Sequence, residues 1–289
     1  MLPIHNISPP PVTVLAELTG LFAVGTYDAS MSDVNAGGCS IHYVSDGDSD
    51  GPSVVFLGEL GLGPWQWAWQ YGRLPGRFQT VVIDTRGCGR SDAPDGPYAM
   101  KGLVSDLEAV LNDASIRKAH LVGCGLGGCV ALGAARQTNR ARSLTLINTP
   151  AAGADLNPTD LAADPADSSA VRESTNALFS DTFGTDAPGL VDQIVEWRCD
   201  EDAEPAARKA QQATLGEFNA GALYELTLPA LVVAGGQDSV VSPDQSHQLA
   251  DDLPRGRFQR FPDVGHFPTI ERATAFTDEL VAFVESAEK

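Results

Sequence analysis

The pattern of apolar and polar positions alternates between two periods along most of the chain. Ser53–Gly58, Gln79–Asp84, Ala119–Val122, Ser143–Ile147 and Ala230–Ala234 are short, nearly unbroken apolar runs. Runs of this length predict strands buried on both faces. Cys39–Ser45 instead alternates, as a half-buried strand does, and the turn-rich Asp46–Pro52 after it suits a hairpin. Arg257–Phe261 predicts one further strand. Between the strands, Lys101–Asp113 places Leu103, Leu107, Val110 and Leu111 on one helical face, and Gly128–Arg136 and Ala273–Val284 also read as helices. Strands alternating with helices at this rhythm predict an α/β fold with a mostly parallel, doubly wound sheet.

The rhythm breaks after Pro150. Residues 151–226 are rich in Asp, Ala and Pro, with helical stretches at Ser169–Phe179, Gly189–Trp197 and Ala206–Glu217. They predict a helical insertion between two parts of a core, residues 1–150 and 227–289. Near the start, Pro9–Pro11 should be extended, and Val12–Phe22 suits either a short helix or a strand.

One stretch organises the chemistry. In His120–Leu132 an apolar run ends in Gly123, Gly125, Gly127 and Gly128, and a small-residue apolar segment follows. A strand that turns sharply into a helix needs glycines where the two backbones approach. Sites in a parallel sheet lie at the carboxyl ends of its strands. Asp238 follows the strand Ala230–Ala234, and His266 follows Arg257–Phe261. An Asp that accepts from one imidazole nitrogen sets the tautomer and leaves the other nitrogen to move protons.

Three segments in this order carry a resemblance. Asp84-Thr85-Arg86-Gly87-Cys88-Gly89-Arg90-Ser91-Asp92 resembles D-x-R-G-x-G-x-S-D, Val122–Gly128 resembles V-G-x-S-x-G-G, and Gly265-His266-Phe267 resembles a G-H segment. The chain resembles the α/β-hydrolase superfamily from about Gly37 onward, especially its small lactonase, proline-iminopeptidase-like and esterase branch. The resemblance implies a helical cap inserted after the sixth strand, over a site for a small-molecule substrate. It also implies a triad of nucleophile, Asp238 and His266, with the main-chain N–H groups of Glu59 and Leu126 as the oxyanion hole. Two departures follow. Gly125 stands at the nucleophile position and has no side chain, and Leu57-Gly58-Glu59 replaces the usual His-Gly followed by an apolar or small residue. The Glu59 side chain either enters the pocket or turns away, to solvent or to an arginine. Cys124, one residue before the tip, is a candidate for the substrate pocket and is expected to face the core or pack beside the turn, with a thiol nucleophile as the lesser reading. Cys129 is expected to serve packing. Trp65 is a candidate for the substrate pocket, although cap-to-core packing is the expected role of the Trp65, Trp67 and Trp69 group.

Composition narrows the classes. The 38 acidic residues against 19 Lys and Arg give a net charge of −19, and only four of the basic residues are lysines. Such a surface stays hydrated in strong salt, which suggests the cytoplasm of a halophile. It would be repelled by nucleic acid and by anionic membranes. The five cysteines show no C-x-x-C and no metal-ligand spacing, which suits a reducing compartment and gives no expectation of a metal or cofactor. No basic leader region precedes an apolar segment at the N-terminus. Three functions stay open. They are hydrolysis with serine-type catalysis impaired and water activated by His266 and Asp238, small-molecule binding without turnover, and His-based lyase or cyclisation chemistry.

Overall fold

The computed structural model describes residues 30–74 and 76–289; the expectations for Pro9–Pro11 and Val12–Phe22 lie outside the described residues. Eight strands form one sheet: β1 (Ser30–Ala36), β2 (Cys39–Gly47), β3 (Ser53–Leu57), β4 (Gln79–Ile83), β5 (Ala119–Cys124), β6 (Ala141–Ile147), β7 (Ala230–Gly235) and β8 (Gly256–Phe261). Their order across the sheet is β1-β2-β4-β3-β5-β6-β7-β8. From β4 to β8 every neighbouring pair is parallel, whereas β1 and β2 add on antiparallel at one edge. The apolar runs of β3, β4, β5 and β7 are buried along their whole length, as strands covered on both faces must be.

The helices follow the same logic: α1 (Ala68–Tyr71), α2 (Met100–Asp113), α3 (Leu126–Gln137), α4 (Ser168–Leu178), α5 (Phe183–Asp186), α6 (Pro188–Glu201), α7 (Pro205–Gly216), α8 (Pro243–Asp252), α9 (Pro268–Glu271) and α10 (Ala273–Ala287). Helix α2 buries Leu103, Leu107, Val110 and Leu111, the face that its spacing predicts. Helices α4 to α7 all fall between β6 and β7, where the alternating rhythm breaks. They pack against the segment between β3 and β4. Trp69 of α1 meets Trp197 of α6 edge to face with ring centroids 6.0 Å apart, and the Trp65 indole N–H donates to Asp202. All three tryptophans of the Trp65–Trp69 group are buried.

The expected hairpin between β2 and β3 is not formed. β2 pairs with β1 and β4, and β3 lies between β4 and β5. Asp46–Pro52 therefore connects two strands that are not neighbours. The hairpin lies one step earlier, where Gly37 and Gly38 adopt φ of +64° and +95° between β1 and β2. The place beside β3 is taken by β4, itself buried at every position, and the turn residues of Asp46–Pro52 do not encode which strand β3 meets.

Candidate active site

Gly125 follows β5 and caps α3 with φ +45° and ψ −106°, a conformation that side chains adopt only under strain. Its neighbours enforce the turn. A Cβ on Gly123 would lie 2.4 Å from the Gly127 backbone, and one on Gly127 would lie 2.2 Å from the Leu57 carbonyl oxygen. These glycines let β3, β5 and α3 meet at one point.

The space at the tip is taken by Glu59. A Cβ on Gly125 would lie 1.7 Å from Glu59 Oε2. Glu59 follows β3, and its side chain, fully buried, turns inward. Glu59 Oε1 accepts from the Leu126 N–H at 3.0 Å and from the Leu60 N–H at 2.5 Å. Glu59 Oε2 lies 2.9 Å from His266 Nε2, and the Cys124 thiol approaches the same oxygen at 3.9 Å. Taking a carboxylate wholly out of water is costly unless partners meet its lone pairs. Two amides and one imidazole do so here.

His266 is also fully buried, and its Nδ1 lies 2.9 Å from Asp238 Oδ1. Burial opposes a charge on this ring. The charge and hydrogen bond of Asp238, helped by Cys124 and Glu59, overcome that and hold the imidazolium well above the usual histidine range. The result is a line of carboxylate, imidazolium and carboxylate. Asp238 Oδ1 further accepts from the Val240 N–H at 2.8 Å, which sets the turn after β7.

Most of the residues singled out in the sequence meet here: Gly125, Leu126, Cys124, Glu59, Asp238 and His266. One of them, Glu59, departs from its expected role. The Glu59 N–H does not face a pocket; it donates to Gln66 Oε1 at 3.0 Å, and the Leu60 N–H stands beside that of Leu126 instead. The cause is the inward turn of the Glu59 side chain, which binds the amide that follows it. Cys124 Sγ is 4.0 Å from His266 Nε2, but burial pushes its thiol up to about 12, against the usual 9.0, so it is no ready thiolate. Trp65 packs on Phe267, next to His266, with centroids 5.8 Å apart, and its N–H is used by Asp202, so it joins the helical segment to the site. Cys129 is buried, with burial holding its thiol far above the usual range.

Three positioning residues escaped the sequence. Asn148, at φ +44° just after β6, donates to the His266 carbonyl and accepts from the Gly235 N–H at 3.2 Å. Glu271 accepts from the Gly265 N–H at 2.8 Å and from the Ser180 hydroxyl, tying the His266 loop to the end of α4. Gln66 holds Glu59 as described. The only signal at Asn148 was its type, since Asn tolerates positive φ better than most residues. The D-x-R-G-x-G-x-S-D segment serves structure. Arg86 pairs with Asp106 through two hydrogen bonds of 2.6 and 2.5 Å, and buried Asp84 accepts from the Arg90 N–H.

Comparison with known proteins agrees with this architecture. Over 262 residues the chain is 25% identical to 3-oxoadipate enol-lactonase 1 of Acinetobacter baylyi, covering 89% of this chain and 97% of the relative. The crystal structure of the enol-lactonase from Burkholderia xenovorans superposes with a TM-score of 0.79 at 26% identity, over 88% of this chain and all of that one. A thermophilic esterase from Thermogutta terrifontis, at 22% identity, shares the fold with a TM-score of 0.76, over 90% of this chain and all of that one. The chain is thus related to lactonases, esterases and other hydrolases. The family model described as "Alpha/beta hydrolase family" matches residues 54–279, and the chain belongs to that family.

Proposed function

We propose that this protein handles a small molecule, as its hydrolase relatives do, but makes no acyl-enzyme, and that Glu59 stands in the nucleophile's place. One observation carries the reading. The Glu59 carboxylate lies where a side chain on Gly125 would project, and it occupies both the His266 Nε2 and the Leu126 N–H. Acyl transfer through this site needs an activated nucleophile beside His266, which the buried Cys124 thiol is not, and free donors for the developing oxyanion. Here the first is missing and the second is filled.

The same contacts bear on water-mediated hydrolysis. His266 Nε2 faces a carboxylate, so water activation by His266 and Asp238 requires Glu59 to leave its two amides first. What the site offers as it stands is a buried imidazolium between two carboxylates, a group that can hold and return a proton.

The test is a pair of single variants and their combination. Gly125→Ser alone should hydrolyse p-nitrophenyl butyrate and simple lactones no faster than the wild type, because Glu59 fills the space its hydroxyl needs. Gly125→Ser combined with Glu59→Gly should gain at least about 100-fold and become reactive to a fluorophosphonate, since a restored nucleophile is worth orders of magnitude. Circular dichroism would show that each variant folds. Robust hydrolysis by Gly125→Ser alone, or by the wild type with Glu59 intact and dispensable, would overturn the reading.

A further inference from the structure

Glu59, Cys124 and His266 come from three separate parts of the fold, the turn after β3, the end of β5 and the loop after β8. One ligand atom of each lies within 4.8 Å of the others, and all three residues are buried. The separations are 2.9 Å between Glu59 Oε2 and His266 Nε2, 3.9 Å between Cys124 Sγ and Glu59 Oε2, and 4.0 Å between Cys124 Sγ and His266 Nε2. A tetrahedral zinc ion, with bonds of about 2.0–2.3 Å, spaces such atoms roughly 3.3–3.6 Å apart. Movements of about half an ångström separate the two arrangements.

We propose that these three side chains form a binding site for a divalent transition metal, zinc in preference to magnesium or calcium. One sulfur, one imidazole nitrogen and one carboxylate oxygen form a donor set for borderline ions; hard cations take oxygen alone. The surrounding shell has the parts a metal site requires. Asp238 sits on His266 Nδ1 and would fix the tautomer that presents Nε2 to a metal. The Leu60 and Leu126 amides hold Glu59 Oε1, leaving Oε2 for the ion. Gly125 brings no side chain to the fourth side of the cluster, where a Cβ would collide with Glu59 Oε2. Binding would displace the thiol proton of Cys124 and the Nε2 proton of His266, two protons for each dication. Three protein ligands leave a zinc ion one short of its usual four. The proposal rests on the reading of Glu59 as the nucleophile's replacement.

Cobalt(II) is the probe, because its spectrum reports its ligands. The full chain, freed of metal with a chelator, would be titrated with cobalt(II), both in its folded state and during refolding so that access is not limiting. The expected result is one ion per chain, intense visible bands of four-coordinate cobalt, and a thiolate-to-cobalt charge-transfer band, all displaced by one equivalent of zinc. Cys124→Ser should lose the charge-transfer band, and Asp238→Asn should weaken binding about 10- to 100-fold while keeping it. Should Cys124→Ser fail to fold, Glu59→Gln and His266→Gln must each weaken uptake in its place. No charge-transfer band in the wild type by either route would overturn the proposal, as would an unchanged band in Cys124→Ser, which would assign it to another cysteine. Failure here would leave the Gly125→Ser and Glu59→Gly experiment free to succeed. Hydrolysis by Gly125→Ser alone would strike at the role of Glu59 and not at cobalt uptake.

Discussion

Glu59, after β3, and Glu201, at the end of α6, are both buried carboxyl groups, and the fold serves them differently. Glu59 meets two amides and an imidazole within 3.0 Å. Among the described residues, Glu201 receives one N–H, from Trp65 at 3.3 Å, and its Oε1 has no hydrogen-bond partner. Its electrostatic neighbours are Asp84, Asp202 and Asp200, all of its own sign, so burial and repulsion together push it up to about 9. Asp84, also buried, is raised to about 6 chiefly by burial. The contrast teaches that burial alone does not decide what a carboxyl group becomes. Its donors do. Where donors are aimed at it, the group is held in place; where they are missing, as at Glu201, burial and like charges keep its proton on near neutral pH.

The comparison can be broken at either end. Glu59→Ala should have the largest effect on stability, a loss of about 3–5 kcal/mol, because the buried imidazolium loses a partner and two amides lose their acceptor. Urea unfolding followed by tryptophan fluorescence measures this, and a loss under about 1 kcal/mol would mean that Glu59 is not the group that holds the turn together.

Glu201→Gln should act in the opposite sense. The unfolded chain gives up the Glu201 proton near its ordinary 4.5, whereas the folded chain keeps it to about 9. Between these values the folded state binds more protons, so stability falls as pH rises and levels off above about 9. The glutamine should remove most of that slope and gain about 1–3 kcal/mol at pH 9, on the scale of a poorly satisfied buried polar group. Urea midpoints at pH 5, 7 and 9 test it, and a slope unchanged in the variant would assign the pH dependence to Asp84 or elsewhere.

Asn148→Ala removes a donor to the His266 carbonyl and an acceptor for the Gly235 N–H, with an expected loss of about 1–2 kcal/mol. Faster exchange of the Gly235 amide would distinguish this from a general weakening. At the small end lies Arg257→Ala. Its 2.8 Å pair with Glu279 is half exposed, so the change should stay within about 1 kcal/mol and shrink in salt.

Much of this architecture is legible along the chain. The unbroken apolar runs locate the central strands, because a strand covered on both faces has no polar side to show. The glycines at 123, 125, 127 and 128 mark the turn for a steric reason that needs no partner to be known. Asp238 and His266 are marked because loops after parallel strands collect at one edge of the sheet. Failures begin where neighbours decide. The Asp46–Pro52 cluster reads as a hairpin because turn residues report that the chain bends and not which strand it meets next. Asn148, Gln66 and Glu271 are ordinary polar residues until the loops they brace are brought beside them.

Glu59 divides the two kinds of information most clearly. From composition and order alone one learns that no hydroxyl stands at the tip of the turn and that a carboxylate lies a few residues beyond β3. Whether that carboxylate faces water or the interior depends on side-chain torsions, which cost little locally. The choice is made by donors from β5, α3 and the loop after β8, residues 65 to 207 positions away in the chain. Local sequence sets which conformations are permitted. Only the packed sheet brings the donors together that make one of them the buried state.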